Sequence, residues 1–379
     1  MMEEKIKKIC FLQVAHFPDD DRVWYHQAFT LGNSGFDVSV ISTRTDSSDL
    51  ENVFCFDDSG MPKKTVCRKV SDIFIRIKPD IIICDNPLAV YFASKYQKKY
   101  QQEVKIIIDI TEWYPSKKNL VNLNRIKRFM KKTALKCLNF YSGFLVDGFI
   151  FGEYHKAKIF KKYFSKKPFV DLPYYPDLKY IDRGRTKVDF STWKVLYSGP
   201  LTKEKGFYNV INAMNACALH NQCFNFELNV ISNGNPDDEQ ERQIKQLPNN
   251  IEIKLHKYFP FEQFCKVIAN YDLYFDLREK DEENNNCLPI KLFYYIACGR
   301  PVIFSDLDAI RLHVSEIYEM GNLVNPQDYK NISNIITEYI ADNDKYYKHS
   351  AAGLKYSNEK YNWSLISEKF VNFIKNEFD

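Results

Sequence analysis

No stretch of this 379-residue chain approaches the roughly 18 consecutive apolar residues that a membrane-spanning helix requires. The start, MMEEKIKKICFLQVAHF, has a charged beginning but an apolar run of only a few residues before His16, too short for the core of a signal peptide. The ten cysteines are scattered, with no C-x-x-C pair and no Cys/His spacing suited to zinc. That pattern excludes a disulfide scaffold and a zinc module and leads to the expectation of a reduced, cytoplasmic protein. No repeat or low-complexity tract is present, and no G-x-G-x-x-G follows the first apolar strand, which counts against a nicotinamide-binding fold.

What is present belongs to a globular protein: 45% hydrophobic and 15% aromatic residues, with a length that predicts two domains rather than one. The net charge of +4 is small but unevenly placed. Residues 1–190 hold 33 basic and 23 acidic side chains, and the segment Lys117 to Lys167 alone holds 14 basic against two acidic.

The chain reads as alternating strands and helices. Lys8 to Val14 is a first strand, followed by the polar loop His16 to Asp21, a helix over Arg22 to Leu31 with Asp20 or Asp21 as N-cap, and a second strand at Val38 to Ile41. Ile81 to Cys84 and Val104 to Ile108 are further strands, each running into polar residues. In open parallel sheets ligands sit beyond the carboxyl ends of strands, so His16, Asp19 to Arg22, Asp85 and Thr111 to Tyr114 are candidates for one site. Turn and cap roles compete with that reading for Asp85 and Asp109.

Asn124 to Tyr141 spaces Ile126, Met130, Leu135 and Leu138 among six lysines and arginines, a basic amphipathic helix. Contact with anionic lipid and a merely solvated basic face both fit it. Nucleic acid is a third reading, disfavoured because no recognised nucleic-acid motif accompanies the charge. Phe144 to Val146 reads as strand-like, and Val170 to Lys187 as an interdomain connection.

The second half repeats the alternation. Strand Lys194 to Tyr197 leads into Ser198-Gly199-Pro200-Leu201-Thr202-Lys203-Glu204-Lys205-Gly206, a glycine turn with a lysine suited to cradling a diphosphate or, more plainly, a surface turn. Strand Glu227 to Ile231 ends at Ser232-Asn233-Gly234. Leu273 to Asp276 runs into the Asn-rich loop before NNNCLPIKLFYYIACGRPVIFSD, where Pro289 ends the loop, Ile290 to Cys298 is helical and Pro301 to Phe304 is a strand. The fold class predicted is α/β, with domains at 1–180 and 190–379 and the last helix packing back on the first domain.

The segments HFPDDDRVW, IIDITEWYP, LPYYPD, YSGPLTKEKGF, LPIKLFYYIACGRPVIFSD and GNLVNPQDY, in that order over most of the chain, resemble GT-B glycosyltransferases, closest to the retaining, nucleotide-sugar-dependent family four, glycosyl transferases group 1. The resemblance implies two Rossmann-like domains facing each other across a cleft, no cofactor and no metal. A nucleotide-diphosphate sugar would be bound by the C-terminal domain, and a glycan or lipid-linked glycan acceptor by the N-terminal domain. Surface polysaccharide assembly at an anionic membrane face is the implied setting, with no nucleic acid.

Residue by residue, the resemblance makes Gly199, Lys205, Gly206, Asn233, Asn286, Leu288, Pro289, Lys291 and Tyr294 donor-binding. Asp20, Arg22, Thr111 and Trp113 become acceptor-binding, and His16, Glu112 and Lys205 catalytic. The chain departs from the family at Asn286 and Tyr294, where two glutamates are usual, at Pro200 in place of an arginine, and at Thr111, where a histidine often precedes Glu112. Those departures keep open a non-catalytic GT-B-like glycan-binding or partner protein, and an epimerase or phosphorylase of similar form.

Overall fold

The computed structural model describes residues 6–101, 103–111, 114–121, 123–183 and 191–378. They form two compact units, one of residues 1–174 with 366–379 and one of residues 175–365. The division falls between two adjacent tyrosines. Tyr174 lies against Arg22 of the first unit, with 5.3 Å from guanidinium to ring. Tyr175 stacks edge-on against Phe293 (4.8 Å) and Tyr361 (5.5 Å) of the second.

The N-terminal unit is a seven-stranded parallel sheet of order β3-β2-β1-β4-β5-β6-β7. Its strands are β1 (Lys8–Gln13), β2 (Asp37–Ser42), β3 (Val53–Cys55), β4 (Ile81–Cys84), β5 (Lys105–Ile110), β6 (Gly148–Phe151) and β7 (Phe169–Asp171). The C-terminal unit is a six-stranded parallel sheet of order β10-β9-β8-β11-β12-β13. Its strands are β8 (Thr192–Ser198), β9 (Asn225–Ile231), β10 (Ile251–His256), β11 (Leu273–Asp276), β12 (Val302–Ser305) and β13 (Gly321–Val324). Runs such as Ile81-Ile82-Ile83-Cys84 are apolar throughout because helices cover both faces of a parallel sheet, and all four of these residues are buried.

Both sheets reverse strand order beside their first strand, at β1/β4 and at β8/β11. At such a switch point neighbouring loops leave in opposite directions and open a crevice at the carboxyl edge.

Several sequence expectations need correcting. The first helix is a wide, π-type stretch, Asp21–Ala28, continuing as Phe29–Asn33, with Asp20 as its cap accepting from the Val23 N–H. The basic helix spans Arg125–Leu145, so Phe144 and Leu145 are helical rather than strand-like. Gly143 sits inside this helix, where a Cβ would lie 2.5 Å from the Phe164 ring. The start of the supposed connection is strand β7, and β3 was not foreseen. Each has only three residues, too few for periodicity to register.

The last helix, Ser364–Phe378, buries Phe370, Phe373, Ile374 and Phe378. The Phe378 ring lies so close to Gly148 that a Cβ there would come within 2.6 Å of it. The Phe378 carbonyl accepts from Lys7 Nζ at 2.6 Å.

Candidate active site

In the C-terminal unit the switch point is built from the loop after β8 and the loop after β11. Tyr197, buried near the end of β8, carries its hydroxyl to the carbonyl oxygens of Pro200 (2.7 Å) and Lys205 (3.2 Å), so one side chain sets both ends of the intervening turn. Gly206 then closes it. Its φ is +86°, and a Cβ would sit 2.1 Å from the Leu277 carbonyl oxygen and 2.6 Å from the Arg278 nitrogen. Glycine is what lets the two loops meet backbone to backbone, and it places Lys205 beside Arg278.

Three cations gather there. Lys205 Nζ donates to Asn284 Oδ1 at 3.2 Å. Arg278 pairs through Nε and Nη2 with the Asp276 carboxylate, Nε at 2.7 Å, and its carbonyl accepts from Ser305 Oγ at 2.6 Å. Among the described residues Arg278 Nη1 has no acceptor. Lys291 Nζ donates to the Ser198 carbonyl and lies 3.7 Å from where a Gly199 Cβ would be. Burial, and then the Arg278 guanidinium, depress the Lys205 ammonium below its ordinary range. Positive charge crowded at a partly buried strand end favours an anion.

Gly199, Lys205, Gly206 and Lys291, all expected from the sequence, are thus at this edge of the sheet. Asn233 lies at the end of β9, where its Oδ1 accepts from the Tyr258 N–H at 3.0 Å. Asn286 folds back on its own short helix, Nδ2 donating to the Glu282 carbonyl at 2.7 Å. The Leu288 side chain and Pro289 are buried. Tyr294 departs from expectation: it is 2% exposed and packs edge-on against Phe261 (6.1 Å) and Phe264 (6.4 Å), because the helix Lys291–Ala297 turns that face to the core.

Two residues were missed. Arg278 follows Asp276 straight off an apolar strand, a charge pair at a strand end that could have been noticed. Asn284 is the buried hub of the loop, its Nδ2 reaching the Glu204 (2.9 Å) and Glu279 (3.0 Å) carbonyls. Within Asn284-Asn285-Asn286 no sequence signal ranks one asparagine above another.

In the N-terminal unit the corresponding edge holds His16, Asp20 and Asp85. His16 Nδ1 is 3.2 Å from Asp20 Oδ2. Burial works to raise the Asp20 carboxyl, but the hydrogen bond and charge of His16 outweigh it, and Asp20 stands below the usual carboxylate range. Asp85 Oδ2 accepts the Val14 (3.0 Å) and Ala15 (2.9 Å) N–H groups, which is why β1 ends at Gln13. Burial pushes Asp85 up to about 6.

Arg22, expected at the acceptor, is 3% exposed and committed elsewhere. Its Nε and Nη2 meet the Asp109 carboxylate at 2.7 and 3.0 Å, and Nη2 also reaches the Leu172 carbonyl at 3.0 Å. Gln27 Nε2 completes the Asp109 shell at 2.6 Å. Arg22 is therefore a clamp joining the first helix to the ends of β5 and β7. The Thr111 carbonyl accepts from Lys156. Glu112 and Trp113 lie outside the described residues. Among the described residues no group of three or more His, Cys, Asp or Glu side chains is gathered as a metal-ligand set.

Residues 181–356, inside the C-terminal unit, match the family model described as glycosyl transferases group 1. No curated protein matches the chain in sequence. Solved structures match in fold over nearly the whole chain. Sucrose-phosphate synthase from Thermosynechococcus elongatus has a TM-score of 0.71 at 15% identity, covering 98% of this chain and 99% of its own. Anabaena HepE in complex with UDP has a TM-score of 0.70 at 14% identity, covering 97% and 100%. A glycosyltransferase from Rickettsia africae has 0.71 at 14%, covering 99% and 100%. Identities this low show the fold alone. The chain therefore has the GT-B fold of those structures, and residues 181–356 of it are similar to glycosyl transferases group 1.

Proposed function

We propose that this chain transfers a sugar from a nucleoside-diphosphate sugar to a hydroxyl of a glycan or lipid-linked glycan, the C-terminal unit binding the donor and the N-terminal unit the acceptor. The observation that carries the reading is the meeting of Lys205, Arg278 and Lys291 at the β8/β11 switch point, within the segment that matches the family model. In the transfer, the bond from the anomeric carbon to the diphosphate oxygen breaks with its electron pair on the diphosphate. The acceptor oxygen bonds to that carbon, and its proton passes to a leaving phosphate oxygen. Cations held at the departing diphosphate stabilise charge that is greatest in the transition state. Lys205 and Lys291 are assigned to that charge, and His16, with Asp20 behind it, to the acceptor side.

The reading takes the reaction as retaining and as needing neither metal nor cofactor beyond the nucleotide sugar, which is substrate. HepE was solved with UDP, so uridine nucleotides are the first probes. In a thermal-shift panel UDP and a UDP-sugar stabilise the chain, and Lys205→Ala weakens UDP binding about 10- to 100-fold, the loss of a charge-assisted contact of about 1.5–3 kcal/mol. A chain that no nucleotide or nucleotide sugar stabilises, and that releases no nucleotide from a donor offered with membrane acceptors, overturns the reading.

A non-catalytic, glycan-binding relative is the second reading. Asn286 turned onto Glu282 and Tyr294 packed in the core, at positions where carboxylates are usual, favour it. Nucleotide binding without turnover distinguishes it.

The setting proposed is the cytoplasmic face of an anionic membrane, in surface polysaccharide assembly. No helix of the described residues is long and apolar enough to cross a membrane. The helix Arg125–Leu145, however, leaves Ile126 (73%), Phe129 (72%), Met130 and Phe144 exposed among its lysines and arginines. Cys137, Leu138, Phe140, Tyr141, Phe144 and Ile159 line an apolar groove of about 650 Å³ beside it. Apolar side chains rimmed by positive charge suit an anionic lipid surface.

A further inference from the structure

Arg278 stands just past β11, and three consecutive residues there are tied down through the backbone. The Leu277 carbonyl accepts from Asn209 Nδ2 at 2.9 Å, the Arg278 carbonyl from Ser305 Oγ at 2.6 Å, and the Glu279 N–H donates to the Glu204 carbonyl at 3.1 Å. Asp276, 7% exposed, takes Nε and Nη2 of the guanidinium on its two oxygens. Backbone and side chain are thus fixed before a ligand arrives, and little ordering remains to be lost on binding.

An arginine carries five N–H donors, and Asp276 occupies the edge made by Nε and Nη2. The edge made by Nη1 and Nη2 remains, on a side chain 16% exposed. It is a planar fork whose spacing matches two oxygens of one phosphate. The charge around it is not balanced. Asp276 offsets Arg278, but Lys205 donates to a neutral oxygen, Asn284 Oδ1. After burial, the Arg278 guanidinium is the strongest influence on the Lys205 ammonium, ahead of the carboxylates of Glu283 and Asp276. Two like charges brought together by a fixed meeting of loops repel each other, and an anion between them relieves the repulsion.

The turn after β8 brings less charge to this place than the family pattern would. Pro200, where an arginine is usual, supplies neither a cation nor an N–H. The turn keeps its shape all the same, because the Tyr197 hydroxyl bonds to the Pro200 and Lys205 carbonyls and needs no side chain at position 200. Since the loop after β11 meets this turn backbone to backbone at Gly206, a cation can serve the same anion from either loop.

We infer that Arg278, from the loop after β11, stands in for the arginine missing at position 200 and grips the diphosphate of the donor with its Nη1–Nη2 edge. The inference rests on the donor reading above and adds the residue that restores the lost cation. It makes Pro200 and Arg278 a linked pair, in which a charge absent from one loop is carried by its neighbour. A purely structural Arg278, present only to satisfy the buried Asp276, would have no such link to position 200.

The test uses the full chain, with UDP affinity measured by calorimetry and uridine as the control that lacks phosphate. Arg278→Ala weakens UDP binding about tenfold or more and leaves uridine binding unchanged. Adding Pro200→Arg to that variant returns the UDP affinity to within about threefold of wild type, since the charge comes back from the loop after β8 while the Tyr197 bond to a backbone carbonyl is kept. UDP affinity unchanged in Arg278→Ala overturns the inference. A loss that Pro200→Arg does not recover overturns it as well, and leaves Arg278 as the partner of Asp276 only. A wild-type chain that binds none of UDP, GDP, ADP and dTDP overturns the donor reading itself; where another of these binds in place of UDP, it serves as the probe, with its own nucleoside as the control. Should Arg278→Ala unfold, Asp276→Asn combined with Arg278→Gln, a neutral hydrogen-bonded couple, takes its place in both arms.

Discussion

Gly206 carries more of the candidate donor site than its size suggests. With φ at +86° and the Leu277 carbonyl 2.1 Å from any Cβ, Gly206→Ala must both strain the backbone and push apart the loops that bring Lys205 to Arg278. The expected loss is about 2–4 kcal/mol of unfolding free energy, read from urea denaturation, together with weakened UDP binding. Asp85 gives a prediction of opposite kind. Its folded pKa of about 6 stands above the roughly 3.9 of an unfolded aspartate, so the folded state holds this proton more tightly. Stability is therefore greatest below about pH 4 as far as this group is concerned, and it falls as pH rises through about 6, by up to about 2–3 kcal/mol. Asp85→Asn, neutral at every pH, should flatten that part of the profile between pH 4 and 7 in urea titrations. A wild-type profile with no Asp85-dependent slope there would contradict the assignment.

At the scale of single elements, the helix Arg125–Leu145 was legible over Asn124 to Tyr141 from its spacing of apolar and basic residues, while the role of Asn124 as its N-cap came from the structure. Its last turn was not legible, because the reason for Gly143 lies in Phe164, a ring supplied from 21 residues further on. The exposed face yields the third prediction. Phe129→Glu combined with Lys131→Glu should reduce sedimentation of the chain with vesicles containing phosphatidylserine at least tenfold, since each basic residue near the surface contributes about 1 kcal/mol. Vesicles of phosphatidylcholine alone should bind weakly with or without the substitutions. Equal binding of wild type to both vesicle types would remove the case for an anionic partner.

For the molecule as a whole, each sheet owes its order to side chains far away in sequence. The N-terminal sheet is completed by the last helix, where the Phe378 ring occupies the space that Gly148 leaves at the start of β6 and meets Phe373 at 5.3 Å. Phe378→Ala should cost about 3 kcal/mol. By hydrogen exchange the loss should fall on amides of β1 and β6, with β8 to β13 unchanged. Loss of protection in both sheets together would mean that the two units unfold as one.

The sequence by itself determined the α/β alternation, the apolar strands, the glycine loop with Lys205, and the strand ends where polar residues collect. These are local facts, carried by periodicity and by residues whose backbone preferences act within a few positions. Only the tertiary structure decided which polar residues are taken up by internal partners. Arg22 was as good a ligand as His16 on paper, until Asp109, 87 residues away, took its guanidinium. Asn286 and Tyr294 held the family positions, while Asn284 and Arg278 became the neighbours of Lys205. Strand order makes that choice: it sets Gln13 beside Asp85 and the end of β8 beside the end of β11. Pairing between distant strands is a property of the packed sheets that no local pattern contains.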